Sequence, residues 1–206
     1  MTSWSTKITK WVIGEIVSIQ DSVRARAIVL EKFIAIAQHL ERMNNYNGIM
    51  EILAAFQSSA VHRLKKSMQA VGNKYLKVLD ELMKLTSREL NYKNLRTKVH
   101  AANPPVIPFP GVYLGDLVFL DTGNAMHINN DKSMINFQKF QKLASYILEL
   151  MVYQQTPYNF APVPEIQAFL RGVPVMDDDA AYGLSLICEP RQAVARGVST
   201  VGTLKS

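Results

Sequence analysis

Four of the seven residues from Pro104 to Pro110 are proline, and they stand between two regions of helical periodicity. Each proline fixes its own φ, lacks an N–H donor and biases the residue before it toward extended backbone. No helix can run through this stretch, so the chain is two helical halves joined by a stiff elbow. The elbow leads directly into an apolar run, "GVYLGDLVFL" (Gly111 to Leu120), long enough for two or three turns and followed by Gly123 as a C-terminal cap.

The spacing elsewhere is that of amphipathic helices. Residues 4–19 place Trp4, Ile8, Trp11, Val12 and Ile16 on one face, with Glu15 as the polar member. Asp21 or Ser22 suits the cap of a long second helix with the stripe Val23, Ala27, Leu30, Ile34, Ala37 and Leu40. "MNNYNG" (Met43 to Gly48) ends it, because Asn and Gly favour turns. A short apolar helix is expected over Ile49 to Gln57, then a capped turn "VHRLKK", a helix over 73–86, and another over Ser87 to Ala102 with Leu90, Leu95 and Val99 as its apolar residues. After the polar loop "NAMHINNDKS" the spacing predicts a long helix over 133–153, an extended connection, and short helices over 165–172 and 177–186. The residues from 192 onward read as a flexible tail. No strand alternation, internal repeat or sustained heptad is present, so the expected class is all-α, with about ten helices in an irregular bundle.

With 206 residues, 48% of them hydrophobic and 19% charged, the chain can fill one core. Its net charge of +6 favours acidic partners, but the basic residues are scattered and the densest cluster is only "HRLKK" (His62 to Lys66). A basic adaptor for nucleic acid or anionic membrane is accordingly the weakest reading, and nucleic acid is not an expected partner. One cysteine, Cys188, points to a reducing compartment and a packed side chain. The N-terminus lacks the pattern of a signal peptide, and no run approaches the ~18 apolar residues of a membrane span, so an intracellular chain is expected.

Chemistry is sparse. The histidines at 39, 62, 100 and 127 show no ligand spacing, and no metal or cofactor is expected. There is no phosphate-cradling glycine loop and no nucleophile elbow. The run Asp177, Asp178, Asp179 reads as a helix start, since three consecutive helical residues do not converge on one ion. Without an acid, base and nucleophile set, the chain reads as a binding or remodelling module that makes no bonds.

The proline elbow and its sequel, "NPPVIPFPGVYLGDLVFLDTGN" (Asn103 to Asn124), resemble the signature of the catalytic domain of Ras-family guanine-nucleotide exchange factors. "WVIGEIV" (Trp11 to Val17), Ala25 to Lys66, "INFQKFQKLA" (Ile135 to Ala144), "QQTPYNF" (Gln154 to Phe160) and "YGLSLICEPR" (Tyr182 to Arg191) resemble further family blocks in the family's order. The resemblance spans residues 4–191 and implies a catalytic domain with a protruding helical hairpin. It lacks the bracing helices that precede this point in the family, so an N-terminally truncated domain is expected.

The resemblance implies that the domain binds a small GTPase of Ras, Rap or Ral type and inserts the hairpin beside its nucleotide site, releasing GDP. The action would be cytoplasmic, at membranes reached only through the anchored GTPase. The hairpin would comprise Gly111 to Leu120 and Ser133 to Tyr153, with Leu117, Val118, Asp121 and Thr122 as its working edge. Thr122 stands where some members carry a glutamate that competes with phosphate and metal for a GTPase hydroxyl. GTPase contacts are implied for Met50, Ala54, Gln57, Tyr92, Phe109, Asn124 and Lys142. For Met50, Ala54 and Phe109 core packing is an equal alternative. The rival reading is a non-catalytic scaffold that binds GTPases without opening them.

Overall fold

Side-chain caps and left-handed residues set the boundaries of the helices in the computed structural model, which describes residues 2–191. The expected tail lies outside the described residues. Eleven α-helices follow one another: α1 (Thr2–Val17), α2 (Val23–Arg42), α3 (Tyr46–Gln57), α4 (Ser59–His62), α5 (Lys65–Gln69), α6 (Asn73–Leu85), α7 (Lys93–Ala101), α8 (Pro110–Gly123), α9 (Phe137–Gln154), α10 (Pro164–Gly172) and α11 (Asp178–Cys188). No strand occurs among the described residues, and the fold is all-α.

Ser22 Oγ accepts the Ala25 N–H at 3.1 Å and starts α2. Asn45 Oδ1 accepts the Gly48 N–H at 2.9 Å, so α3 begins three residues before the apolar run. Asn136 Oδ1 accepts the Lys139 N–H at 3.3 Å, which delays α9 to Phe137, four residues after the expected start at Ser133. Asp177 caps α11 through the Asp179 and Ala180 N–H groups, so the acidic run is indeed a helix start.

The expected helix over Ser87 to Ala102 is shorter, because Leu90, Asn91 and Tyr92 all adopt left-handed backbone with φ of 47°, 55° and 58°. Such residues cannot sit inside a right-handed helix, so α7 starts only at Lys93. Leu90, an apolar residue of the expected helix, is left outside α7 and is 79% exposed.

The core is built where α1, α2 and α3 cross, around Val12, Ile16, Leu30, Ile34, Ile49 and Leu53. A buried polar knot joins it to the C-terminal end. Arg26, 1% exposed, donates to Ser67 Oγ (2.9 Å) and to the carbonyls of Ile19 (2.7 Å), Gln20 (2.9 Å) and Cys188 (3.3 Å). Glu189 accepts from Ser67 Oγ (2.7 Å), Ser67 N–H (2.8 Å) and Lys66 N–H (3.0 Å). Burial pushes the Glu189 carboxyl up, but these donors and Arg26 outweigh it and hold it below the usual carboxylate range. Cys188 is a packed side chain whose thiol is pushed up by burial.

The proline elbow does not float. Ile107 N–H donates to Asn44 O, Tyr46 N–H donates to Ile107 O, and both bonds are 2.9 Å. The Asn44 side chain, on a left-handed residue (φ 55°), donates to Asn103 O at 3.0 Å. The elbow is thereby stitched to the α2–α3 turn, and α8 leaves the bundle from the start of α3.

Candidate functional site

Two adjoining features meet at this elbow, a groove and a hairpin. The groove, about 590 Å³, runs between α1, α3, α4 and α11, with apolar walls from Ile13, Met50, Ala54, Ala60, Phe109 and Ala181. Met50 and Ala54 lie four apart on one face of α3 and open into it, Ala54 exposed and Met50 half-buried. Core packing thus does not consume them. Gln57, one turn further, does not line the groove; its amide points to Met83 Sδ at 3.2 Å.

Phe109 occupies the N-cap of α8 with extended backbone (φ −81°, ψ 110°), as flanking prolines require. Its ring lies over Gly111 so closely that a Cβ there would fall 2.4 Å from the ring. It also lies 6.1 Å from the Tyr92 ring, centroid to centroid. Phe109 both packs on the core and lines the groove. Tyr92 is half-buried beside it rather than standing free on a polar surface.

The hairpin is antiparallel. At its base Tyr113 Oη donates to Glu149 Oε1 at 2.9 Å, and His100 Nδ1 lies 3.7 Å from the same carboxylate. Burial first, then the Tyr153 and Glu149 contacts, push the Tyr113 phenol far above its ordinary value. Arg96 on α7 braces α8 through an ion pair with Asp116 at 2.8 Å.

At the far end the sequence reading missed the organising residue. Lys139, 5% exposed, extends its Nζ to Asp121 Oδ1 (2.7 Å), Asp121 O (3.0 Å) and Asn124 O (2.8 Å). A cation is thus held against the orphan carbonyls at the C-terminus of α8, where the helix dipole is negative. The available signal was the position of Lys139, three residues after the capping Asn136 and between Phe137 and Phe140.

The expected edge residues differ in availability. Leu117 is half-buried, whereas Val118 is 63% and Phe119 79% exposed. Thr122 Oγ1 donates back to Val118 O at 2.9 Å. Asp121 is committed to Lys139, and Asn124 Nδ2 donates to Leu120 O at 2.9 Å. Lys142 is exposed with no ion pair among the described residues. Leu114, Val118 and Phe119 of α8 and Ile147, Leu148 and Met151 of α9 are all more than half exposed, a large apolar surface for one hairpin.

The RasGEF domain family matches residues 1–141. The chain belongs to the RasGEF family. It is 39% identical over 188 residues to Ras guanine nucleotide exchange factor K of Dictyostelium discoideum, covering 91% of this chain and 12% of that protein. It is 38% identical over 181 residues to Ras-specific guanine nucleotide-releasing factor 2 of Danio rerio, covering 87% of this chain and 14% of that protein. With the mouse protein of the same name the identity is 36% over 186 residues, 90% of this chain and 15% of that one. The RasGEF chain therefore spans about an eighth of the length of the curated relatives it matches. No helix among its described residues is long and apolar enough to cross a membrane. The expected residues fall into a groove set (Met50, Ala54, Phe109, with Tyr92 behind) and a hairpin set (Leu117, Val118, Asp121, Thr122 and Asn124, with Lys142 on α9), while Gln57 lies outside both.

Proposed function

We propose that residues 4–191 accelerate GDP release from a Ras-family small GTPase of Ras, Rap or Ral type, with the groove docking the GTPase and the α8–α9 hairpin entering beside its nucleotide. The observation that carries this reading is the hairpin itself: an apolar lever, pinned at its tip by Lys139 and at its root by the elbow, standing next to an open groove. A solvent-exposed apolar lever is costly unless a partner covers it.

No bond is made or broken in such a reaction. The chain binds the nucleotide-free GTPase best, and the shift in population follows from that difference in affinity. Opening here would be steric. Asp121 is neutralised by Lys139 and the Thr122 hydroxyl is spent on its own helix, so the edge that enters is Leu117, Val118 and Phe119. The GTPase brings the complex to the membrane; the chain's own contribution is the docking.

The same two spent groups favour the second reading, a scaffold that binds without opening. Immobilised chain separates the two. An exchange factor retains nucleotide-free Ras, Rap or Ral and releases it when GTP is added. A scaffold retains the GTPase whatever its nucleotide.

A further inference from the structure

Four charged side chains line the groove: Lys10, Glu51, Arg88 and Asp178. Three of them are already served. Lys10 Nζ lies 3.3 Å from Asp178 Oδ1, across one end of the groove. Glu51 Oε1 accepts from Ser5 Oγ and from Asn47 Nδ2, both at 2.7 Å. Arg88, on the exposed turn between α6 and α7, has no hydrogen bond or ion pair from its guanidinium among the described residues.

A segment that fills the groove with apolar side chains would take water away from Arg88 as it does so. An uncompensated cation at a covered apolar surface is unfavourable, whereas a carboxylate brought to it forms a charge-assisted, often bidentate contact. Of the groove's other charged groups, Lys10 and Asp178 pair with each other and Glu51 is held by the Ser5 and Asn47 donors, which leaves the Arg88 guanidinium as the group without a partner among the described residues. The chemistry the groove accepts is therefore an apolar segment carrying one carboxylate.

We infer that Arg88 selects among GTPases by pairing with an aspartate or glutamate next to the apolar residues that the GTPase seats in the groove. This rests on the proposed exchange reading and refines it, since it says which property of a GTPase decides acceptance. Arg88 is a specificity residue and takes no part in opening the nucleotide site. Its effect belongs to the GTPase concentration needed and not to the rate at saturation.

The test compares the full chain with Arg88→Ala and Arg88→Glu in two measurements: binding of nucleotide-free GTPase, and GDP release against chain concentration. Both variants keep their fold, because the side chain is exposed and unpaired. Arg88→Ala should raise the half-saturating concentration about tenfold, the worth of one charge-assisted contact, with the maximal rate unchanged. Arg88→Glu should raise it further. One acid-to-lysine substitution among the GTPase's surface acids should restore affinity to Arg88→Glu alone. The inference is overturned if Arg88→Glu binds and exchanges like the parent on every GTPase that the parent accelerates; the exchange reading then stands. If the parent chain neither binds nor accelerates any GTPase, both are overturned.

Discussion

Lys139 Nζ sits 2.7 Å from the Asp121 carboxylate and within 3.0 Å of the Asp121 and Asn124 carbonyls, so one buried ammonium closes the end of α8. Its alkyl stem lies inside the hairpin while Asp121 is largely in water. Most of the effect therefore belongs to the carbonyl contacts, since an exposed partner's charge is screened. Lys139→Met should loosen the last turn of α8 by about 1–3 kcal/mol, the worth of hydrogen bonds to a charged donor. Hydrogen exchange at the amides of residues 119–124 should quicken, while the α1–α3 core keeps its protection. Asp121→Asn should give a much smaller change, and equal effects of the two variants would contradict this assignment.

The Phe109 ring rests on the bare Cα of Gly111. Gly111→Ala must displace it, since the three atoms nearest to such a Cβ all belong to the ring, the first at 2.4 Å. Phe109→Ala removes the anchor altogether and should weaken binding of nucleotide-free GTPase by about 2–4 kcal/mol, as buried aromatic anchors do. Gly111→Ala should weaken binding in the same direction, by less, with thermal unfolding little altered. Isothermal titration of both variants checks this; unchanged affinity for Phe109→Ala would remove it from the docking surface.

Thr122 spends its hydroxyl on the Val118 carbonyl of its own helix. Thr122→Val should then leave the maximal exchange rate within about twofold of the parent, the scale on which loss of an exposed hydrogen bond acts. Thr122→Glu places a free carboxylate on the hairpin edge without displacing Asp121 from Lys139. It should raise the maximal rate, because a second, electrostatic means of displacing phosphate and metal joins the steric one. A lower rate for Thr122→Glu with intact binding would show that the edge must stay uncharged.

Glu189 gives the fold a pH dependence whose sign follows from its lowered pKa. A carboxyl held below its unfolded value of about 4.3 contributes stability that is complete above that pH and is lost as pH falls through the lower folded value. Stability of the parent should therefore drop between about pH 5 and pH 3. Glu189→Gln, which leaves Arg26 and Ser67 without their anion, should be less stable at pH 7 and show a shallower decline. Urea unfolding at pH 7 and pH 4 measures it, and parallel pH profiles for the two proteins would contradict the assignment.

Most helices were legible because their apolar stripes repeat at helical spacing, and α2 announced itself through Ser22 and its stripe. The elbow was legible because proline leaves so few backbone options. Boundaries set by asparagine caps were not: Asn45 and Asn136 moved the starts of α3 and α9, and no local pattern distinguishes a capping Asn from one in a loop. The left-handed turn at Leu90, Asn91 and Tyr92 was hidden because the stretch reads as one continuous helix. At the candidate site, Met50, Ala54 and Phe109 converge on one groove across long sequence separations. Lys139 was overlooked because a lysine normally reads as solvent-facing, and only the approach of α8 makes it a cap. Arg88 likewise has meaning only through the pairings of Lys10, Glu51 and Asp178 around it.

If this hairpin and groove together open a GTPase, the direct measurement is release of fluorescent GDP from Ras, Rap and Ral proteins with the full chain in excess. The expected result is acceleration of at least one of them well above its intrinsic rate, saturating with chain concentration and diminished in Phe109→Ala. Intrinsic release from every GTPase tested, with chain whose helical circular dichroism and cooperative unfolding show it folded, would contradict an exchange role for the hairpin.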